Sequence, residues 1–393
     1  MRILVLSSYP EKDSIHGDKT VGVASYNKNT LLAIKRAQPD MEIEVWAESL
    51  GQNEEYTDND IYIRRFWKRG SILSIFSLFW QALGSTHTTI LIPFEIMIFG
   101  GYVHAAMAIL MTIFLRLSGK KTLIVIHQIV DDLSSLHGES LKTSVINFSA
   151  SLLYLFLQAG AHKSVVFEEA LRDRLPEKHK TLVIPHAVEA FSGISREDAC
   201  KELQLDPNVK YALYFGYLSP YKGIDELVQL WKPSDKVKLV VAGGANINHA
   251  ENNEYMGFVK SVQDTAHEKS IILTGYLGEE KIPLYYSIAS VVILPYKLFM
   301  SSSGPLSIAF SFEKPVLMSE PLHPYFTSLD FQEAAQDAGI GPQDVFFSPD
   351  SFNEKLDHLL ADPGKFEHFS RIMKEKRSWD AVGDLYIDLI RAK

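Results

Sequence analysis

The sequence has only one cysteine, Cys200, among its 393 residues. A single cysteine excludes an intrachain disulfide and a cysteine-based metal cluster, and this usage fits a reducing compartment. A basic excess is also missing, since 48 acidic residues outnumber 39 lysines and arginines and the net charge is −9. General nucleic-acid binders usually carry the opposite balance. We therefore expect a cytoplasmic protein that does not bind nucleic acid.

Several motifs that define other protein classes are absent. Residues 1–12 contain too short an apolar run for a signal peptide, and no small-residue cleavage pattern follows it. The G-x-G-x-x-G dinucleotide fingerprint and the Walker A motif are missing. No paired-histidine or acidic cluster indicates a metal site, so we predict none.

One uncharged segment has the length of a membrane span. Ile96–Leu115 contains no Asp, Glu, Lys or Arg over 20 residues, which is enough for a membrane-spanning helix. Gly100 and Gly101 interrupt it in a way that is typical of a turn before a helix, and Glu95 and Arg116 bound it closely. We predict a buried helix of an α/β domain here rather than a membrane span.

The rest of the chain alternates short apolar runs with amphipathic helical patterns, which predicts an α/β fold with mostly parallel strands. A chain of 393 residues is long for one hydrophobic core, so we expect two domains. The best linker candidate is the polar stretch 188–208. The predicted strands are 2–7, 42–46, 60–64, 89–93, 121–127, 163–167 and 181–185 before it, and 211–215, 237–242, 271–274, 291–294, 315–318 and 345–347 after it.

The stretch Tyr211–Gly223 has the pattern of an anion site. Its apolar run breaks at Gly216, passes through a Ser-Pro turn and reaches Lys222 just before an amphipathic helix. Free N–H groups and the dipole at a helix N-terminus attract phosphate, and a lysine adds a point charge. An ordinary strand–helix joint with a solvated lysine has the same pattern, so both interpretations stay open for this stretch alone.

A second anion cradle is predicted at Ser301–Gly304, where Pro305 suits the first turn of a helix. Simple helix capping is the alternative interpretation of these serines. Val240–Gly244 adds paired glycines, which allow close backbone approach. All three stretches are expected at the carboxyl ends of strands, and together they predict a diphosphate site.

With these motifs in place, the sequence resembles a family. Residues 216–223, GYLSPYKG, are similar to the G-x-L-x-x-x-K-G signature of family-4 (group 1) GT-B-type glycosyltransferases. Further matches follow in the family's order, and they extend over nearly the whole chain. They are GVASY at 22–26, FEIMIFGG at 94–101, IHQ at 126–128, IPHAV at 184–188, VVAGG at 240–244, ILTGYLGEEKIPLYYSIASVVILPY at 272–296, KPVLMSE at 314–320 and RSWDAVGDLY at 377–386.

The resemblance implies the GT-B fold, in which two Rossmann-like doubly wound domains face each other across a cleft and a C-terminal helix crosses back to the first domain. Residues 1–188, together with the final helix at 376–393, would bind the acceptor, and residues 189–375 would bind the nucleotide sugar. The implied reaction moves a hexose from a nucleotide-diphospho-sugar to a sugar or lipid-linked acceptor, with retention, in glycan or glycolipid assembly. No cofactor and no metal are expected.

The resemblance also implies roles for single residues. Lys222 would contact the donor diphosphate and His127 would lie at the transferred sugar, although a structural histidine fits the position of His127 equally well. The remaining implied donor-binding residues are Gly22, Gly216, Gly243, Tyr276, Ser302, Ser303 and Gly304. The implied acceptor-side residues are His16, Glu95 and Gly100.

The sequence departs from the family pattern at positions that matter for activity. Tyr217 stands where the family often has arginine. The family's E-x7-E pair maps onto Met300 and Ile308, so both carboxylates are missing. A catalytically degenerate protein that binds a nucleotide or a partner subunit is therefore a second interpretation, and a nucleotide-sugar epimerase is a third.

The stretch 64–83 combines basic and aromatic residues. Such a combination beside amphipathic structure suits an anionic lipid surface, which would place the protein at the inner face of the membrane and favour a lipid-linked acceptor. A core-facing helix after a solvated basic turn is the alternative. The basic and aromatic residues are Arg64, Arg65, Phe66, Trp67, Lys68 and Arg69, and the predicted apolar side of the helix carries Ile72, Phe76, Phe79, Trp80 and Leu83.

Overall fold

The computed structural model describes residues 1–12, 23–130, 140–189, 191–246 and 251–392. These residues form two compact units. The first unit consists of Met1–His186, Met300–Ser302 and Trp379–Lys393, and the second of Ala187–Phe299 and Ser303–Ser378.

The first unit is built on an eight-stranded sheet with the order β3-β4-β2-β1-β5-β6-β7-β8. All neighbouring strands pair in parallel except β3 and β4, which are antiparallel. The strands are β1 Arg2–Leu6, β2 Glu42–Glu48, β3 Glu54–Asp58, β4 Ile61–Trp67, β5 Thr89–Phe94, β6 Lys121–Ile126, β7 Lys163–Val166 and β8 Thr181–Val183.

Helices cover both faces of this sheet because the connections run in two directions. Helix α1 links β1 to β2, and a right-handed crossover places it on one face of the sheet. The connections that contain α2, α3 and α4 lead towards the other edge of the sheet, so right-handed crossovers place these helices on the opposite face. On that opposite face α2 packs against α3, and α3 packs against α4. The helices are α1 Val23–Ala37, α2 Ile72–Gly84, α3 Tyr102–Leu117, α4 Leu141–Ala159 and α5 Glu169–Asp173, with 3₁₀ turns at Ile96–Ile98 and Lys178–Lys180.

The second unit has a six-stranded parallel sheet with the order β11-β10-β9-β12-β13-β14. Its strands are β9 Lys210–Phe215, β10 Val237–Ala242, β11 Ile272–Leu273, β12 Ala289–Leu294, β13 Val316–Ser319 and β14 Phe346–Phe347. Its helices are α6 Arg196–Leu203, α7 Ile224–Leu230, α8 Asn253–Glu268, α9 Ile282–Ile288, α10 Gly304–Ser311, α11 Leu329–Ala338, α12 Pro342–Val345, α13 Phe352–Ala361 and α14 Gly364–Lys376, with 3₁₀ turns at Pro220–Lys222, Glu279–Lys281 and Glu320–Thr327.

The central strands are buried on both faces, which explains why they are nearly continuous apolar runs. Residues 3–6 of β1 and residues 291–294 of β12 are almost completely buried. The last helix, α15 Trp379–Arg391, belongs to the first unit and packs against α1. It does so closely, because a Cβ on Gly383 would lie 3.0 Å from the carbonyl oxygen of Ala33. The predicted return of the final helix to the first domain is confirmed.

Most predicted strands are found within a few residues of their predicted bounds, but three expectations need correction. Strand β3 was not predicted, because its acidic sequence does not have an apolar run. The linker prediction is wrong for α6, since Ala199 and Cys200 are buried and the helix packs against α9. The segment 96–115 is not a buried helix throughout, because α3 begins only at Tyr102 and one side of it is exposed. Among the described helices, none has the length and hydropathy required of a membrane span.

We predict that replacing Gly383 by valine weakens the packing of α15 on α1. The valine side chain would meet the backbone of Ala33, and overpacking of this kind typically costs about 1–3 kcal/mol. Thermal unfolding should show a lower midpoint for Gly383→Val. The matched control is Gly257→Val in α8, where a Cβ meets no atom within 4 Å. Equal midpoints for the two variants would contradict the close approach of α1 and α15.

Candidate functional site

The candidate site of the second unit lies at the carboxyl ends of β9 and β12. In the sheet, strand β9 lies between β10 and β12. The chain runs from β9 to β10 on one side and returns later to β12 on the other side. Such a reversal of strand order opens a crevice at the carboxyl ends, and open α/β sheets bind ligands there. The predicted stretch Tyr211–Gly223 contains the end of β9 and the loop after it, and Ser301–Gly304 follows β12.

Three glycines allow the loops above these strand ends to meet at backbone distance. A Cβ on Gly243 would lie 1.9 Å from the carbonyl oxygen of Gly216, and one on Gly223 would lie 1.8 Å from the carbonyl oxygen of Pro295. Gly216 and Gly223 also have φ angles of +125° and +65°, which favour glycine. Larger residues at these positions would push the loops apart.

Lys222 ends the 3₁₀ turn Pro220–Lys222, and its ammonium group lies above Gly216. The Nζ atom is 2.7 Å from the position that a Cβ on Gly216 would occupy and 5.8 Å from the centroid of the Tyr296 ring. Within the described ranges, no carboxylate or carbonyl accepts a hydrogen bond from this Nζ. Burial lowers the pKa of the Lys222 ammonium to about 8. The second unit therefore holds a partly desolvated cation without a counter-ion.

The N-terminus of α10 lies next to this cation. The side chain of Pro305, in the first turn of α10, is 4.0 Å from the same Cβ position above Gly216. The N–H of Gly304 opens the helix and donates to no other described residue, so it is available to a ligand.

The predicted serine donors are already engaged. The Ser303 hydroxyl accepts from the N–H of Leu306 at 3.3 Å and lies 3.0 Å from the Tyr296 hydroxyl. The N–H of Ser303 donates to the Tyr325 hydroxyl at 2.9 Å. Ser302 belongs to the first unit, where its hydroxyl donates to Glu168 at 2.8 Å. In this structure the serines cap and fasten the turn.

Two tyrosines stand side by side near the paired glycines. The rings of Tyr217 and Tyr276 are stacked, with centroids 6.1 Å apart and an angle of 22° between their planes. Both are exposed, and a Cβ on Gly244 would lie 2.6 Å from the backbone nitrogen of Tyr276. Tyr276 is a predicted donor-binding residue. Tyr217 was noted in the sequence only as a departure from arginine, so its pairing with Tyr276 was missed.

Glu189 is a second residue that the sequence interpretation missed. Its N–H donates to the Ser307 hydroxyl of α10 at 3.2 Å, and that hydroxyl donates to the Ala187 carbonyl at 3.0 Å. Burial raises the pKa of the Glu189 carboxyl to about 7, and the Glu279 carboxylate adds to the rise. A carboxyl beside α10 that titrates near neutrality is characteristic of functional sites, although structural networks also produce such shifts.

The first unit contains His127, directly after β6. Its ring packs against Tyr26 and Phe167, with centroid distances of 5.2 and 5.0 Å. Its Nε2 atom is buried and has no hydrogen-bond partner within the described ranges. Burial, together with the nearby His186, lowers the pKa of His127 to about 3. The imidazole is therefore neutral at physiological pH.

The predicted acceptor-side residues have separate positions in the first unit. Gly100 has a φ of +107°, and a Cβ on it would lie 2.5 Å from the nitrogen of Gly70, so packing alone requires this glycine. Glu95 follows β5, and burial raises its pKa while Arg69 partly offsets the rise. The third acceptor-side residue, His16, and the predicted donor-binding residue Gly22 lie outside the described residues.

The two positions that lack carboxylates hold the apolar residues Met300 and Ile308. In the first unit the carbonyl of Met300 accepts from the N–H of Ile129 at 2.8 Å. Ile308 is buried in α10. No group of three or more His, Cys, Asp or Glu side chains suited to a metal ion occurs in the part of the chain that the structure describes.

Residues 195–376 match the family model described as glycosyl transferases group 1. A comparison with curated protein sequences finds no match.

Three solved structures resemble the whole chain. Sucrose-phosphate synthase from Thermosynechococcus elongatus has a TM-score of 0.72 at 15% identity, with 100% of both chains covered. The trehalose-6-phosphate protein from E. coli bound with UDP-2-fluoro glucose has a TM-score of 0.70 at 11% identity, with 100% of this chain and 99% of that chain covered. Anabaena HepE in complex with UDP has a TM-score of 0.62 at 14% identity, with 100% of both chains covered. At such low identity the likeness shows a common fold, and the predicted GT-B-type α/β fold is confirmed.

We predict that Lys222→Gln stabilises the protein at neutral pH. The pKa of Lys222 is lowered from 10.5 to about 8, so the folded state bears the full cost of the desolvated charge below pH 8, and this cost disappears as the pH rises towards 10.5. Removing the charge should increase the free energy of unfolding by about 1–3 kcal/mol at pH 7.

Denaturant unfolding of both proteins at pH 7 and pH 10 measures this difference, which should shrink at the higher pH. A variant that is less stable than the wild type at pH 7 would show that Lys222 has a stabilising partner.

Proposed function

We propose that the chain is a hexosyltransferase that uses a nucleotide-diphospho-sugar. The match of residues 195–376 to the family model of group 1 glycosyl transferases supports this proposal. The acceptor is a sugar or a lipid-linked glycan, and the product retains the anomeric configuration. The observation that carries this proposal is the Lys222 ammonium, which lies at a strand-order reversal with no counter-ion in the described part of the chain.

The diphosphate is the ligand that satisfies this cation best. Phosphate oxygens accept both from a lysine and from free N–H groups at a helix N-terminus, and Lys222 and Gly304 offer one of each on either side of Gly216. Breaking the anomeric C–O bond develops positive charge on the sugar and negative charge on the departing diphosphate. Fixed donors that meet this negative charge are often the largest catalytic contribution, and loss of one typically costs about 3–4 kcal/mol.

The nucleoside occupies the neighbouring part of the same unit in our proposal. Gly243 and Gly244 allow close approach of a ligand to the backbone, and the exposed Tyr217–Tyr276 pair offers an aromatic edge beside them. UDP is the appropriate first probe, because Anabaena HepE was solved in complex with UDP and with UDP-glucose. The same binding experiment with GDP- and ADP-sugars tests the two other possible donors.

In this proposal the first unit binds the acceptor, and its His127 contacts the transferred sugar. A neutral imidazole with a buried, unpartnered nitrogen suits a hydrogen bond to a sugar hydroxyl. Its low pKa makes His127 unsuited to carry a proton near neutral pH. In a retaining transfer the leaving phosphate itself can accept the acceptor's proton, so this mechanism needs no protein base. The proposal includes a cytoplasmic location.

A catalytically inactive nucleotide-binding protein is the second candidate, and the missing carboxylates at Met300 and Ile308 favour it. The two candidates differ in turnover. Incubation with UDP-glucose should give slow donor hydrolysis if the chain is a transferase. Saturable UDP binding without hydrolysis or transfer, across a panel of UDP-, GDP- and ADP-sugars with candidate acceptors present, would favour the inactive protein.

We predict that UDP binding depends on the charge of Lys222. With a pKa of about 8, the ammonium is mostly charged at pH 7 and mostly neutral at pH 9, so the Kd for UDP should rise about tenfold between these values. Lys222→Gln should weaken binding at pH 7 by at least about tenfold and remove this pH dependence. Isothermal titration calorimetry measures both effects, and any titration of UDP itself appears in the variant as well.

Lys297→Gln is the matched control for this experiment. Lys297 lies in the same unit, but its ammonium is already paired with Asp225 at 2.8 Å and Glu226 at 3.0 Å. Its removal should change the Kd by less than about threefold. Equal losses in the two lysine variants would indicate a general charge effect and refute a specific diphosphate contact.

A further inference from the structure

Three neighbouring helices of the first unit, α2, α3 and α4, expose apolar side chains on their outer side, and we call this surface the outer helix face. It lies on the side of the sheet opposite to α1 and α15. Leu73 of α2 is 82% exposed, Leu117 of α3 is 76% exposed and Leu141 of α4 is 84% exposed. The other large apolar side chains of this face are Ile72, Phe76, Trp80, Tyr102, Val103, Leu110, Phe114, Val145, Ile146, Phe148, Leu152, Leu155 and Phe156.

The helices pack against the core without these exposed side chains, because other apolar residues form their buried side. On α2 the core contacts are made by Ile75, Leu78 and Phe79, which are fully buried, so Leu73 and Trp80 are not needed for packing. The helices are thus apolar on both sides, whereas a surface helix of a globular protein normally presents polar residues outwards. Single exposed apolar residues are ordinary, but a continuous apolar surface marks an interaction site.

Five of the exposed apolar residues of α4 form a stripe along the helix. Leu141, Val145, Phe148, Leu152 and Leu155 follow each other at intervals of four and three residues. This spacing keeps them on a single side over four turns. The stripe is exposed along the whole helix, so its apolar surface is elongated.

The charge of these helices indicates which partner covers them. Helices α2, α3 and α4 have 13, 16 and 19 residues and contain no Asp or Glu. About six carboxylates would be expected in that length at the chain's average of 48 in 393. The structure describes one basic side chain in these helices, the partly buried Arg116, and the exposed Lys68 precedes α2. An acidic protein therefore presents a face that is apolar and weakly cationic.

An anionic lipid surface complements such a face better than a second copy of the chain does. A two-fold interface brings the same patch of both copies together, so cations would meet cations with no carboxylate to pair them. Anionic headgroups neutralise the cations while Trp80, Phe148 and their neighbours enter the acyl boundary. The aromatic share of the face, which includes Trp80 and Phe76 with rings stacked 5.7 Å apart, suits the interfacial zone of a bilayer.

We propose that the outer helix face binds the surface of an anionic membrane, with the axes of α2, α3 and α4 lying along it. This goes beyond the proposed function, because it concerns a surface of the first unit and needs no nucleotide. It also revises the expected contact through 64–83. Of that stretch only Lys68 and the outer side of α2 take part, since Arg65 is buried and Arg64 and Arg69 are paired with Glu55 at 3.2 Å and Glu48 at 2.9 Å.

Vesicle sedimentation with the full chain tests this proposal. The wild type should bind vesicles of phosphatidylcholine mixed with phosphatidylglycerol and bind much less to vesicles of phosphatidylcholine alone. The double variants Leu73→Gln with Trp80→Gln, and Val145→Gln with Phe148→Gln, should each weaken binding about tenfold or more, because every buried apolar side chain contributes substantially. All four positions are exposed, so the variants should fold.

The matched control is Leu329→Gln with Leu385→Gln, which removes two exposed leucines outside the face. Leu329 lies in α11 of the second unit, and Leu385 lies in α15, on the other side of the first sheet. This variant should bind vesicles as the wild type does. Equal loss in the control and the face variants would overturn the proposal, as would wild-type protein that ignores anionic vesicles.

Two further measurements separate this inference from its competitors. Sedimentation velocity without vesicles should show a monomer, and self-association that the face variants abolish would assign the face to a second copy and refute the lipid proposal. UDP calorimetry on the same variants should match the wild type. A protein that binds UDP but no vesicles refutes only the membrane inference, while one that binds vesicles but no UDP refutes only the proposed function.

Discussion

The loops at the site of the second unit surround a charge that has no counter-ion among the described residues. Burial makes the Lys222 ammonium less stable in the folded protein than in water, yet the surrounding loops are organised around it. Gly216 leaves room for the Nζ atom, and Gly223 lets the turn that carries Lys222 lie directly on the carbonyl of Pro295. These close contacts are incompatible with larger residues. Stability is given up at this point for a site that attracts an anion, which is a common conflict between stability and function.

The sheet order explains why the pieces of this site meet. Strand β9 lies between β10 and β12, so the loops after these strands converge at one edge although they are far apart in sequence. The N-terminus of α10 and the turn with Lys222 then approach a common point above Gly216. Crossovers also explain the outer helix face of the first unit. Helices α2, α3 and α4 follow successive crossovers and form one continuous layer.

Much of the fold could be predicted because a parallel strand that is buried on both faces must be a short apolar run. This rule identified β1 and β12, but it missed β3, which is acidic and pairs only at the sheet edge. The glycine and lysine positions of the site were also predictable from their order. The engagement of Ser303 by Tyr296 and Tyr325 was not, since hydrogen bonds between distant residues leave no local pattern.

The sequence by itself determined the α/β class, the motif that leads to Lys222 and the absence of carboxylates at Met300 and Ile308, because each of these is a property of local residue order. Tertiary structure alone decided which charges are neutralised and which apolar residues are covered. Lys297 and Lys222 look alike in the sequence, but among the residues that the structure describes only Lys297 has carboxylates within reach. Leu78 and Leu73 are likewise equivalent until the helix is placed on the sheet, which buries the first and exposes the second.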